Sequence, residues 1–337
     1  MGKDTCVDAR CSSWSAVTPM GGHPSAVPEA PVPVAGARSV AAPRRGRSQR
    51  GGWGFLLPAV IVLFALTIFP FIFTVVLSLS NVDVTAGLQV QPGTLANWQQ
   101  LIGDAQFWGS LGMTCLFVAL AVVSEYILGF GLALLLWRDL RGGAFFRVIF
   151  LIPMMLAPVA IAFMGRMFYD ESYGPLDATL RQFGLPGVHW LSTSPLALIS
   201  IILVDIWEWT PFMILLLLAG LQALPNECLE AAQLDGASGW TIIRYIIFPM
   251  LAPISVMAVL LRMIEAFKIF GPILILTGGG PGTSTESSSL YAYFTGLNNF
   301  NLSYGSSLAV GLLIVVTIVA IIYLAISRRL VQKVLGT

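Results

Sequence analysis

The sequence predicts an all-α polytopic membrane protein with six transmembrane helices and both termini in the cytoplasm. Three observations predict it. Of 337 residues, 56% are hydrophobic and only 10% are charged, against about 25% charged in a soluble domain. Six apolar runs follow one another from Phe55 onward, each near the roughly 20 residues that cross about 30 Å of hydrocarbon. Lys and Arg gather on alternate connections between those runs, the pattern that sets orientation in a bilayer. Backbone groups in lipid must find partners within their own segment, so runs of this length are helices, not strands.

Residues 1–50 form the first region, a tail rich in Pro, Ala, Gly, Ser and Arg. It has too little apolar surface to offset its ordering entropy and reads as disordered. It also lacks the apolar stretch of a signal peptide. The second region is 51–337. Its runs are Phe55–Leu77, Phe107–Trp137, Phe146–Phe168, Leu196–Leu221, Met250–Leu276 and Tyr304–Ile326. Pro70, Pro153, Pro158, Pro211, Pro253 and Pro272 fall inside them and predict kinks.

The basic residues give the orientation. Arg38, Arg44, Arg45, Arg47 and Arg50 precede the first run, and Arg138, Arg141 and Arg147 lie between the second and third. Arg244 lies between the fourth and fifth, and Arg328, Arg329 and Lys333 follow the sixth. The other three connections hold only Arg181. The basic side is the cytoplasmic side.

Several chemistries are excluded at this point. The cysteines, Cys6, Cys11, Cys115 and Cys228, and the histidines, His23 and His189, have no metal-ligand spacing. There is no Ser/His/Asp set, and the only Gly-Lys is Gly2-Lys3, so no phosphate loop exists. The expectation is a chain that is not an enzyme, with no metal and no cofactor of its own. The Arg44–Arg50 cluster is explained by topology, and nucleic acid is not an expected partner.

The connection 223–249 carries the strongest motif. Pro225 suits a helix's first turn, and Glu227 and Glu230 sit near its positive end. Gly236 stops that helix by taking the left-handed cap conformation, and Ser238 caps the next. Ala231 and Ala232 leave a small-residue face that another protein can approach closely. Glu230-Ala231-Ala232, then Asp235-Gly236, then Ile246 and Pro249 at their spacing resemble the cytoplasmic "EAA" loop of ABC importer permeases. This chain has Phe248 where that family usually has Leu.

The resemblance implies a type I ABC importer permease fold. It implies that Glu230, Ala231, Ala232, Asp235, Gly236, Ile246 and Pro249 dock a separate ATPase. It also implies the partners: a second homologous permease, two ATP-binding subunits carrying ATP and Mg, an extracytoplasmic solute-binding protein, and the lipid bilayer. A second match is Leu276 to Glu286, followed by Tyr291 and by Tyr304 to Ala309. It resembles the last external loop and final helix of carbohydrate-importer permeases related to the maltose and glycerol-3-phosphate systems. Gly278, Gly279, Gly280, Pro281 and Gly282 are then the expected contact with the binding protein.

Ionisable residues inside lipid face a cavity or one another. Glu125, Arg166, Asp205, Glu208, Arg262, Glu265 and Lys268 fall within the runs. Asp205 and Glu208 are three apart, as are Arg262, Glu265 and Lys268, so neighbours lie on adjacent turns. Glu265 can be neutralised by Arg262 or Lys268, while Asp205 and Glu208 can pair with basic groups on a partner permease. Asp205, Trp207, Glu208, Arg262, Glu265, Phe267, Lys268 and Phe270 are the candidate substrate path, since aromatic faces and carboxylates suit sugars. Relatives often have Asp where this chain has Gly271. The alternatives are import of a polyol, glycerol or glycerophosphodiester, and an ion-coupled secondary transporter. The last would use buried carboxylates, but it shows no internal repeat here and leaves the 223–249 connection unexplained.

Overall fold

A computed structural model describes residues 52–83, 89–137 and 142–335. The expected disordered tail, 1–50, lies outside the described residues, as do the side chains of Trp53 and Lys333. The chain divides between Leu56 and Leu57, and every site described below lies in the helical unit from Leu57 onward.

The first span is α1 (Gly52–Leu63), a π-helical turn over Phe64–Ile68, and α2 (Phe69–Ser78). Pro70 has no N–H to donate, and its ring crowds the carbonyl four residues back. A wider turn just before it relieves both problems. The same device recurs at Ile243–Ile247, directly before Pro249. Beyond α2, β1 (Ser80–Asp83) pairs antiparallel with β2 (Gln89–Pro92), a small hairpin added to the expected all-α fold. Short α3 (Ala96–Gly103) leads to α4 (Ala105–Trp137), the second span.

The third run departs from expectation. It is not one helix but α5 (Gly143–Met155) and α6 (Pro158–Phe168), bent by 92°. Pro158 pushes the residue before it out of the helical region, and Ala157 is extended at ψ 132. α7 (Pro175–Gln182) lies in the following connection, and α8 (Ser194–Gln222) is the fourth span. Then come α9 (Asn226–Leu234), α10 (Gly239–Ile242) and α11 (Phe248–Phe267). The fifth run also breaks early. α11 ends at Phe267, and α12 (Gly271–Leu276) starts anew around Pro272. α13 (Ser288–Tyr293) and α14 (Leu302–Leu335) complete the chain. Among the described residues, five helices are long and apolar enough to cross a membrane, and the bent α5–α6 pair makes six.

α4, α8 and α11 form the centre. Phe117, Ala121, Met213, Leu217, Leu251 and Ala258 are fully enclosed between neighbouring helices. Gly129 lets α4 lie directly on α8, because a Cβ there would collide with Met213 Cβ and crowd its backbone. By contrast the first span turns large apolar side chains outward, with Leu66 73% and Phe69 67% exposed. That density of exposed apolar surface belongs in hydrocarbon.

A Gly129→Val substitution overpacks this contact and is expected to destabilise the protein by about 1–3 kcal/mol. A drop in the thermal unfolding midpoint of the detergent-purified protein checks it, with Gly131→Val, which meets open space, as the control.

Candidate functional site

Three groups of residues concern function. The first is the segment 223–249. Pro225 caps the N-terminus of α9 at ψ 125 instead of lying inside its first turn, and Glu227 follows in that turn. The helix ends as its sequence requires. Gly236 takes φ +73, the Gly236 N–H donates to Gln233 O at 3.0 Å, and the Ala237 N–H donates to Ala232 O at 3.0 Å. This paired pattern satisfies the last carbonyls of a helix. Ser238 Oγ then accepts from Thr241 N at 3.3 Å and caps α10.

Leu229 is buried and roots the segment, whereas Glu230, Ala231, Asp235 and Gly236 are exposed. Ala232, Ile246 and Pro249 are half-buried. The structure adds Leu234, 89% exposed, and Trp240, 69% exposed. The signal for Leu234 was available in the sequence. Five residues beyond Leu229, at about 100° each, turn it roughly 140° away from the buried side.

The second group lies inside the helical body. Arg262 on α11 forms a fork with Glu125 on α4, Nε to Oε2 at 2.7 Å and Nη2 to Oε1 at 2.9 Å. The same Nη2 donates to Asp205 Oδ2 on α8. The guanidinium also sits 4.7 Å from the ring centre of Trp209. Asp205 therefore finds its cation within this chain, and its expected pairing to a partner permease is corrected. Glu208, one turn on, is buried, and its Oε2 has no hydrogen-bond partner among the described residues.

Glu265 pairs with Lys268, Oε1 to Nζ at 2.7 Å, and not with Arg262. Both side chains are exposed, Glu265 in the last turn of α11 and Lys268 at its C-cap. Phe270 is half-buried, with its ring 4.9 Å from that of Tyr293. The remaining path candidates stand apart. Phe267 is 2% exposed and points into the core. Trp207 lines an apolar groove of about 330 Å³ between α6 and α8, with Ile161, Met164, Phe168 and Leu203. Arg166 serves as a tether, donating to Ile275 O at 2.8 Å and so joining α6 to α12.

The third group is the glycine-rich turn. Gly278, Gly279 and Gly282 have φ of +63, +91 and +61, conformations that favour glycine. Thr285 Oγ1 donates to Gly280 O at 2.7 Å and folds the turn onto itself. Gly278 and Gly282 are exposed, Gly280 and Pro281 are half-buried, and Gly279 is buried. Gln106 Nε2 donates to Glu286 Oε2 at 2.9 Å and fixes the end of the turn to α4.

Beside this turn, Asp104 joins three helices. Its Oδ1 accepts from Gln106 N at 2.9 Å and Phe107 N at 3.3 Å, capping α4. Its Oδ2 accepts from Tyr291 Oη on α13, at 2.6 Å, and from Tyr304 Oη on α14. Burial opposes the charge on Asp104, but the bonds from Tyr291, Tyr304 and the two backbone N–H groups outweigh it. They hold the carboxyl below its ordinary value. Burial first, and then the Asp104 carboxylate, push the Tyr291 hydroxyl up to about 12. Among the described residues, no group of three or more His, Cys, Asp or Glu side chains is placed to hold a metal.

A family model described as "Binding-protein-dependent transport system inner membrane component" matches residues 125–334. The trehalose/maltose transport system permease protein MalF of Thermococcus litoralis is 37% identical over 285 residues, 84% of this chain and 95% of that protein. The trehalose transport system permease protein SugA of Mycobacterium tuberculosis is 32% identical, over 83% of this chain and 89% of its own length. Among solved structures, a chain of a bacterial alginate ABC transporter, in complex with an alginate pentasaccharide-bound periplasmic protein, superposes with a TM-score of 0.71. It is 20% identical, over 84% of this chain and 96% of that one, and it establishes the fold.

The depressed Asp104 carboxyl gives a pH dependence with a definite sign. Its contribution is present above the unfolded carboxylate value of about 3.9 and is lost as pH falls through the lower, folded value. Thermal unfolding of the purified protein across that acid range is expected to show this loss. Asp104→Asn should be less stable at neutral pH and should decline less on acidification.

Proposed function

The chain belongs to the family of binding-protein-dependent transport inner membrane components, and from that membership we propose that it is the permease through which an ATP-driven importer passes a sugar or sugar-like solute. It is a multi-pass inner-membrane transport component and not an enzyme. ATP and Mg belong to separate subunits in this reading. The solute class rests on the relatives named for trehalose and maltose, two neutral sugars.

The observation that carries the reading is the 223–249 segment. It is a capped helix pair rooted by Leu229, with Glu230 and Ala231 exposed beside half-buried Ala232 and an exposed Leu234 at its tip. The distribution of Lys and Arg supports a cytoplasmic location for it. We assign Glu230, Ala231, Ala232, Asp235, Gly236, Ile246 and Pro249 to the contact with one of two ATP-binding subunits. A second permease supplies the matching contact for the other. When the ATPases close, the segments move and α8 and α11 move with them, which alternates access to the path.

The path itself runs beside α8 and α11. The Glu265–Lys268 pair supports this placement, because an exposed ion pair on a spanning helix cannot rest against lipid tails. It needs water or another protein chain. Glu208, with an unsatisfied oxygen, and Phe270 complete the polar and aromatic set. The exposed glycines Gly278 and Gly282 are assigned, with Gly279, Gly280 and Pro281, to the contact with the solute-binding protein.

Gly236→Pro and Glu230→Lys are expected to insert normally but to lose uptake by more than about tenfold, through lost docking. The check is co-purification with the ATPase subunit, and full retention of that subunit by both variants would sink the assignment. Leu234→Asp should act in the same direction. Uptake of radiolabelled trehalose or maltose by the assembled transporter tests the solute class. Uptake that survives loss of the Walker lysine in the partner ATPase would favour an ion-coupled transporter instead. Lys268→Met and Glu265→Gln should alter the apparent affinity for solute without disturbing assembly.

A further inference from the structure

Glu125, Asp205 and Arg262 come from three different helices and are 0%, 4% and 1% exposed. Stability does not account for such a set. Taking ions out of water roughly cancels their attraction, and apolar side chains of similar volume hold a core as well or better. What an ion triad adds is register. The planar fork of an arginine is satisfied only when its carboxylates stand at one height and one rotation. Arg262 uses Nε and Nη2 on Glu125 and shares Nη2 with Asp205. A slide of α4, α8 or α11 by one turn would strand a buried charge.

The placement of this triad along the helices is informative. α8 and α11 are the two helices that leave the 223–249 segment. At about 1.5 Å per residue, Asp205 lies about 25 Å from the segment end of α8 and Arg262 about 21 Å from the segment end of α11. The Asp205–Arg262 pair therefore closes a frame whose other end is the segment, and Glu125 fixes that frame to α4. Tyr126, the next residue on α4, donates its hydroxyl to Ser255 Oγ on α11 at 2.9 Å and braces the same seam lower down.

We propose that Glu125 is a positioning residue for transport: it holds Arg262 against Asp205, so that α4, α8 and α11 shift as one rigid frame when the 223–249 segment is driven. The proposal rests on reading that segment as the ATPase contact. Glu125 itself touches no solute. Its carboxylate is wholly enclosed, and it acts through the guanidinium.

Paired spin labels at Leu128 on α4 and Leu261 on α11, both exposed positions, test this in the complete transporter. All four native cysteines, Cys6, Cys11, Cys115 and Cys228, would be replaced by Ser first. In the otherwise native chain the distance between labels should stay fixed when ATP is added. In Glu125→Gln it should broaden or shift with ATP, and ATP hydrolysed per trehalose imported should rise about fivefold, within the range seen along coupling networks. Glu125→Asp should restore part of both. A merely structural role would lower assembly and leave the ratio alone. The proposal is overturned if the native distance changes with ATP, or if Glu125→Gln keeps the native distance and ratio. Should Glu125→Gln fail to assemble, the native measurement and Glu125→Asp decide by the same criteria. An error in the docking assignment would show separately, as a Gly236→Pro transporter that keeps its ATPase subunits.

Discussion

In the middle of this helical body a guanidinium is held where water does not reach. Arg262 has only 1% of its surface exposed, and its charge is met by Glu125 and Asp205 from two other helices. An isolated charge there would be far too costly to keep, so the three helices are obliged to meet at one height. Other features follow from that meeting. Gly129 permits α4 and α8 to touch, Trp209 lays its face against the guanidinium, and Tyr126 reaches Ser255 across the neighbouring seam. The apolar packing around the triad supplies the stability, and the ions determine which arrangement is stable.

Some prolines interrupt the spans, while Pro153, Pro211 and Pro253 lie inside continuous helices. Two interruptions are mild, the π turns before Pro70 and Pro249. One is severe, the 92° bend at Ala157–Pro158. The last separates α11 from α12 at Lys268–Phe270. Non-helical backbone at membrane depth is tolerated where protein covers it or water fills a cavity. The break after α11 lies beside the Glu265–Lys268 pair and the Phe270–Tyr293 contact. The Gly278–Gly282 turn and the Asp104 junction with Tyr291 and Tyr304 then set how the chain returns into α14.

The sequence made the helices legible because lipid imposes one period and one length. It also revealed the 223–249 turn, since Gly236, Ser238 and Pro225 each have a local reason for their place. The interruptions were only partly legible. Pro158 predicts a kink but does not say whether a helix bends or breaks, and that depends on what α6 packs against. The charge partners were legible only when local. Glu265 and Lys268 share adjacent turns, so the sequence offered Lys268 as one of two partners, while Arg262 meets residues 57 and 137 positions away. Exposure is also a tertiary property. Phe267 and Trp207 look equivalent as aromatic residues near charges, yet one is core and the other lines an apolar groove.

The outward ion pair on α11 bears on how cells must make this protein. Where the end of α11 lies within hydrocarbon, a solitary copy leaves Glu265 and Lys268 against acyl chains or drags a water defect inward to hydrate them. Either state is strained, and it ends when a neighbour covers that face. The bilayer thus penalises orphan copies, and surplus made without its neighbour is a natural target for membrane proteolysis. If a second permease supplies that cover, as proposed above, matched production of the two chains follows from the placement of one ammonium group.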